Sequence, residues 1–319
     1  MLIRFIRVER NAALLLVVAG ILGLVISNST GSNPVTIQMA ELSHYLLCLF
    51  FFLVGLELKR ELTSGVFSNK KSLLVPLFAA VFGALLPAVA YAGVTLNHPI
   101  AQKGWAIPMA TDITFALAVF SFFSKKFTRG ARGFLLAFAI IDDILAIVVI
   151  AVFLGTPIIS GALVTGSALL GLLIPARRVE RLENLIHPIV AYLVLPLFAF
   201  TALSLPITSS ISSVVLSVVG IGIILRVLGK ITGITFGAWL GVRLSGIKAE
   251  LSIFDYFQIS ILGGIGFTVS LLVTDLVFTK GSIEHSQAIV ASGLAALISI
   301  GLASLVFSFR GTVPTKVQG

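Results

Sequence analysis

The stretch Ala-Ile-Ile-Asp-Asp-Ile-Leu-Ala-Ile, residues 139–147, holds two adjacent carboxylates within a long apolar run. A similar run, Ala-Thr-Asp-Ile-Thr-Phe at residues 110–115, holds a third carboxylate. Placing one carboxylate at the centre of a bilayer costs roughly 2.5–3.5 kcal/mol on insertion scales, so such residues mark function by default. Asp112, Asp142 and Asp143 are therefore the leading candidates for an ion or proton path.

The composition predicts an integral membrane protein. Hydrophobic residues make up 58% of the 319 residues, charged residues make up 11%, and the mean hydropathy is +1.12. Apolar segments long enough to cross a bilayer recur along the whole length, so we expect one transmembrane domain over residues 1–319. The expected fold is all-α with about ten transmembrane helices. Their approximate limits are 11–29, 40–60, 73–95, 105–123, 133–154, 158–175, 184–204, 213–241, 254–278 and 286–309.

The net charge of +9 is best explained as a topology signal. With a cytoplasmic N-terminus, the inner segments hold almost all the lysines and arginines. Only Lys103 and Lys280 fall outside, and Arg226 and Lys230 fall within the eighth span. This positive-inside bias predicts that both termini are cytoplasmic, and it leaves nucleic-acid binding without support.

Two spans contain residues that interrupt a helix at mid-depth. In the fourth span Pro108 removes a backbone donor, and in the ninth Gly263, Gly264 and Gly266 let the chain leave helical geometry. Backbone opened at that depth must face protein or water, because lipid cannot satisfy its polar groups. The alternative is that Pro108 only kinks its helix and that the glycines only allow close packing.

Each interrupted span is the middle one of a group of three spans. The two groups cover residues 73–154 and 213–309. The two groups enter the membrane from opposite sides, as in transporters built from inverted repeats. Two broken helices would then cross at mid-membrane, where positive helix N-termini and negative C-termini meet. We expect Asp112 beside the N-termini and Lys230 beside the C-termini.

Asp142 and Asp143 are neighbours on one helix, so their side chains point about 100° apart and should have different roles. One would face a cation in a water-filled cavity while the other pairs with Lys230. Thr111 adds oxygens that suit a hard cation such as Na⁺. Cation and proton would compete for the same oxygens, which is the minimal chemistry of an antiporter. The alternative is a purely structural ion pair between Asp142 and Lys230.

Seven stretches, in order and spread over nearly the whole chain, resemble the NhaA family of sodium/proton antiporters. They are residues 51–62, 104–117, 139–144, 181–188, 195–200, 229–234 and 264–270. The resemblance implies a transporter rather than an enzyme, without a cofactor, in the inner membrane of a bacterium. It would exchange cytoplasmic Na⁺ or Li⁺ for external H⁺, move net charge and contribute to sodium and pH homeostasis, with membrane lipid as a further partner.

The resemblance also implies roles for single residues. Asp143 would be the main cation ligand and Asp142 the partner of Lys230. Thr111 and Asp112 would supply a ligand and charge balance at the broken-helix crossing. A Na⁺ ion would thus be held transiently by Asp143, Asp142 and Thr111.

Three glutamates, Glu57, Glu61 and Glu183, match acidic residues that line the cytoplasmic entrance of the family and are linked to its pH response. On sequence alone, solvated charges at helix ends explain them equally well, because each lies close to lysine or arginine.

Several positions depart from the family pattern. Ala162 stands at the approximate place of a family histidine, and His44 replaces an acidic residue. The loop 29–39 is too short for the extended hairpin of the family, which argues against a homodimer formed through it. Arg226 and Asp275 match no family residue.

The chain is also shorter than the usual twelve-helix member, since residue 151 runs almost directly into the segment 160–175. Two helices are missing, which keeps open a degenerate member that binds cations without turnover. An intramembrane aspartyl protease is a further alternative. Its second aspartate typically follows a Gly-x-Gly pattern, whereas Phe267 follows residues 264–266 here.

Overall fold

The structure, a computed structural model, describes residues 2–30, 46, 48–60, 63, 70–153, 158–204, 211–246 and 251–310. Within these ranges the chain is entirely helical, with no β-strand. Helix α2 covers 48–60. The other α-helices are α1 (Leu2–Thr30), α3 (Lys70–Val94), α4 (Pro99–Gln102), α5 (Ile113–Phe122), α6 (Arg129–Phe153), α7 (Ile158–Leu173), α8 (Ala176–Ile189), α9 (Leu195–Leu203), α10 (Ile211–Val215), α11 (Val218–Ile224), α12 (Arg226–Ser245), α13 (Ile253–Gly263), α14 (Thr268–Val277) and α15 (Ile283–Ser308).

Shorter helical turns connect some of these elements. Lys103–Met109 and Ser124–Lys126 are 3₁₀ turns, and Val190–Val194 is a π-helical turn that joins α8 to α9. The π turn follows Pro188, which has no N–H to continue the regular ladder.

Five described helical segments are long and apolar enough to cross a membrane. They are Leu73–Val94, Gly130–Ile150, Ala176–Thr201, Val218–Ser245 and Ile283–Ser308. Helices α13 and α14 form a sixth if they are counted as one span, although they are bent by 52° at their junction. Large apolar side chains remain exposed on these helices and on α1, as expected for a surface that faces lipid.

The chain leaves helical geometry in the two places that the sequence marks. The 3₁₀ turn that contains Pro108 is followed by extended backbone at Ala110 and Asp112, and α5 begins after it. Helix α13 ends at Gly263, and α14 begins at Thr268. A side chain on Gly266 would collide with the carbonyl oxygen of Ala110, so this glycine lets the two non-helical segments touch.

Helix α12 packs directly against the backbone of α3. Four glycines, spaced four residues apart, form one face of α12: Gly229, Gly233, Gly237 and Gly241. A Cβ on any of them would press on α3 backbone atoms at Pro87, Phe82, Phe78 or residues 74–75, respectively. Small residues at this spacing allow close approach of helices in membranes, where packing rather than the hydrophobic effect drives association.

Candidate ion-transport site

The two non-helical segments, 110–112 and 264–267, are joined by hydrogen bonds across their contact. The Asp112 amide donates to the Ile265 carbonyl at 2.7 Å. The Thr111 hydroxyl donates to the Gly263 carbonyl at 3.0 Å, at the C-terminal end of α13. Each bond satisfies a backbone group that the interrupted helices leave without a regular partner.

Asp112 accepts hydrogen bonds from the first turns of two helices at once. Its Oδ1 accepts from the Phe115 amide in α5 at 3.5 Å. Its Oδ2 accepts from the Thr268 amide in α14 at 3.2 Å and from the Thr268 hydroxyl at 2.7 Å. Because a helix N-terminus carries a partial positive charge, a buried carboxylate is stabilised between two of them.

Asp142 and Lys230 form a buried ion pair between α6 and α12. The ammonium Nζ lies 3.0 Å from Oδ2 and 3.2 Å from Oδ1 of Asp142, and both side chains are almost completely buried. The same Nζ lies 5.9 Å from the centre of the Phe138 ring, within cation–π range. The pairing expected from the sequence is therefore present in the geometry.

Asp143 lies beside this pair in a different setting. None of the described residues donates a hydrogen bond to its carboxylate. Of the whole residue, 8% is exposed. It lines a cavity of about 80 Å³ together with Thr111, Asp112 and Thr268. The two adjacent aspartates thus differ as their 100° separation on the helix predicts, one being paired and the other open to a cavity.

The same cavity extends to charged residues on α2 and α8. Glu57 and Arg60 line it from α2, and Glu183 and His187 line it from α8. Arg60 forms an ion pair with Glu183, whose side chain is buried on the inner face of the amphipathic helix α8. Carboxylates and a guanidinium therefore line one cavity together with Asp143.

Part of the sequence interpretation falls outside the described residues. Glu61, His44 and the loop residues 31–39 are in this group, so their placement is not described.

A model of the Na⁺/H⁺ antiporter 1 family matches residues 3–180 and 160–305. The chain belongs to the Na⁺/H⁺ antiporter 1 family. The family resemblance seen in the sequence is therefore confirmed, and a multi-pass membrane protein agrees with the apolar helices.

Relatives named Na(+)/H(+) antiporter NhaA align over nearly the whole chain. The protein of Proteus mirabilis (strain HI4320) is 32% identical over 372 residues, covering 95% of this chain and 94% of the relative. That of Pseudomonas putida (strain GB-1) is 33% identical, covering 89% and 90%, and that of Vibrio parahaemolyticus is 31% identical, covering 98% of both. Alignments of this length exceed the 319 residues of the chain, so the relatives contain residues that this family member lacks.

The surroundings of two charged residues in this Na⁺/H⁺ antiporter 1 family member were not evident from the sequence. Asp275 pairs with Lys280 at 3.3 Å and with the ring of His285 at 2.8 Å, where α14 is followed by α15. Arg226 is fully buried near the contact of the non-helical segments. Only its position one turn before Lys230 could have pointed to the site.

Proposed function

We propose that this protein exchanges cytoplasmic Na⁺ for external H⁺ by alternating access. The observation that carries the proposal is the open carboxylate of Asp143, which lies in a polar cavity next to the Asp142–Lys230 ion pair. Membership of the Na⁺/H⁺ antiporter 1 family supports the same function.

In this proposal Asp143 is the main ligand of the transported cation. Thr111 also lines the cavity and contributes an oxygen, and Asp142 contributes when its pairing with Lys230 loosens. Na⁺ prefers such hard oxygen ligands. A proton on Asp143 removes the charge that attracts Na⁺, so the two ions exclude each other at one site. Li⁺, with the same charge and the same oxygen preference, is a second substrate.

More than one proton can exchange for each cation. Asp143 is one carrier, and Asp142 or Lys230 is the second, because separation of their ion pair leaves two groups whose protonation can change. The exchange then moves net charge across the membrane and draws on the membrane potential. We place it in the inner membrane of a bacterium, with both termini in the cytoplasm, where it contributes to sodium and pH homeostasis.

The proposed architecture has about ten spans and two inverted repeats, over 73–154 and 213–309. The contact between residues 110–112 and 264–267 supports two broken helices that cross at mid-membrane. The placement of Glu57 and Glu183 on the cavity supports a role for them, together with Glu61, in the response to pH at its cytoplasmic end.

The test uses the full-length protein in sealed vesicles with an internal pH dye. A pulse of Na⁺ should drive proton movement with the wild-type protein, and Asp143→Asn should abolish it, because the amide keeps the volume but loses the charge. Asp275→Asn is the matched control, since that residue lies outside the cavity. Unchanged flux in Asp143→Asn would refute the proposal.

A degenerate member that binds Na⁺ without turnover is the second candidate, because the chain is shorter than its relatives. Na⁺ binding to the purified wild-type protein without Na⁺-driven proton flux would favour it.

A further inference from the structure

Arg226 is completely buried at the start of α12, one turn before Lys230. Its Nη1 donates to the Ser270 hydroxyl at 2.8 Å, and its Nη2 donates to the Ser292 carbonyl at 2.8 Å. Its Nε has no hydrogen-bond partner in the part of the chain that the structure describes. The guanidinium is therefore held by two neutral groups and by no carboxylate in direct contact.

The guanidinium lies beside one non-helical segment and is linked through Ser270 to the 3₁₀ turn that precedes the other. A Cβ on Gly266 would lie 3.5 Å from its Nη1. Ser270, which accepts from Arg226, donates in turn to the Ile107 carbonyl at 3.2 Å. This carbonyl belongs to the last turn before the chain becomes extended, where a helical segment carries partial negative charge.

Asp112 belongs to the same contact, because it accepts from Thr268, two residues before the Ser270 that binds Arg226, and the opposite charges of Asp112 and Arg226 attract each other. Lys230 cannot take over this role, because its ammonium is already bound to both oxygens of Asp142. The described site thus contains the carboxylates of Asp112, Asp142 and Asp143 together with two fully buried cations, Lys230 and an arginine that stays charged in proteins. Charges this deeply buried act on one another over longer distances than they would in water.

We propose that Arg226 is a positioning residue of the transport site, whose fixed charge offsets Asp112 and thereby weakens the hold of the site on Na⁺ so that the ion can be released. The inference rests on the proposed exchange of Na⁺ for H⁺. A site of three carboxylates with only Lys230 would bind the cation more tightly and release it more slowly, since affinity is adjusted mainly through the rate of release. Arg226 would thus favour turnover over affinity.

The test compares the wild-type protein with Arg226→Gln and Arg226→Lys. Na⁺ affinity is measured by Na⁺-dependent thermal stabilisation of the full chain in detergent, and KM and kcat are measured by Na⁺-driven proton flux in vesicles. Arg226→Gln should lower the KM and Kd for Na⁺ roughly tenfold and reduce kcat. Arg226→Lys should restore both values to near wild type. Arg243→Gln, an exposed arginine on the same helix, is the control for the loss of a positive charge.

A purely structural role predicts a different result. Arg226→Gln would then lower the amount of folded protein while the Na⁺ KM and Kd of the folded fraction stay unchanged, and this outcome overturns the proposal. A failure of Arg226→Lys to restore the KM overturns it as well. If Arg226→Gln does not fold, the double variant Arg226→Gln with Asp112→Asn removes both opposite charges, and its Na⁺ Kd should approach the wild-type value. If the wild-type protein binds Na⁺ but shows no Na⁺-driven proton flux, the proposed exchange is contradicted. The Kd values of the variants then still test the role of Arg226 in Na⁺ affinity.

Discussion

Two cavities approach the contact of the non-helical segments and differ in size and chemistry. The smaller one, about 80 Å³, is lined by Thr111, Asp112, Asp143 and the charged residues of α2 and α8. The larger one, about 350 Å³, lies between α1, α5 and α15 and is lined almost entirely by apolar side chains, among them Ile265 and Phe267.

The difference in lining, rather than in volume, supports the smaller cavity as the proposed ion path. A dehydrated cation needs oxygen ligands, and among the described residues that line the larger cavity a single serine offers a side-chain oxygen. One short segment, residues 264–268, contributes to both cavities, because its residues face in different directions. Ile265 and Phe267 line the apolar cavity, whereas Thr268 lines the polar one.

The largest difference in flux and stability is expected between two substitutions, one on each side of this contact. Asp112→Ala removes the acceptor of the Thr268 and Phe115 amides, and each buried unpaired donor costs about 1–3 kcal/mol. We expect loss of Na⁺-driven proton flux and a strong decrease in Tm. Phe267→Leu on the apolar side should retain flux and lose only about 1 kcal/mol of stability. Vesicle flux and thermal unfolding in detergent measure both. Equal losses in the two variants would contradict the distinction between the cavities.

An intermediate effect is expected when each cavity is partly filled. Ala191 lines the polar cavity and Ala296 lines the apolar one, and both are buried. Ala191→Phe places a ring in the small cavity and obstructs it, so it should slow flux roughly tenfold, equivalent to about 1.4 kcal/mol on the rate barrier. Ala296→Phe should stay within about twofold of wild type, because the larger cavity can accept the ring. Stronger inhibition by Ala296→Phe would place the ion path on the apolar side.

The smallest effect, a shift in the pH dependence of flux, is expected for a substitution at the charged end of the polar cavity. Glu183→Gln removes a negative charge that faces the cavity, so acids farther along it should release their protons more readily. The pH of half-maximal flux should therefore move to lower pH, by roughly half a unit. Glu180→Gln, an exposed position on the same helix, should leave the profile unchanged. The pH series of Na⁺-driven flux measures both variants, and equal shifts would show that the cavity position has no special influence.

The elements that the sequence predicts well are those set by local chemistry. Pro108 and the glycines at 263–266 cannot continue a regular helix, so the interruptions follow from the residues themselves. The burial of these charged residues close to one another was likewise predictable, because acids within apolar runs must avoid lipid, and their role in transport stays a prediction.

The features that the sequence left open depend on contacts between distant parts of the chain. Nothing local to Asp112 indicates that Thr268 is its second helix partner, since the pair arises only when α5 and α14 begin side by side. The same holds for Arg226, whose neighbours come from α14 and α15. The partly buried pair of Asp275 and His285 also forms only when two successive helices fold together.

The glycine face of α12 has a mechanical consequence. Because backbone lies on backbone, we expect α12 and α3 to move together as a single rod. Lys230 and Arg226 are fixed to that rod, one turn apart. In the proposed exchange, the other helices would move relative to this rod, which carries both positive charges together.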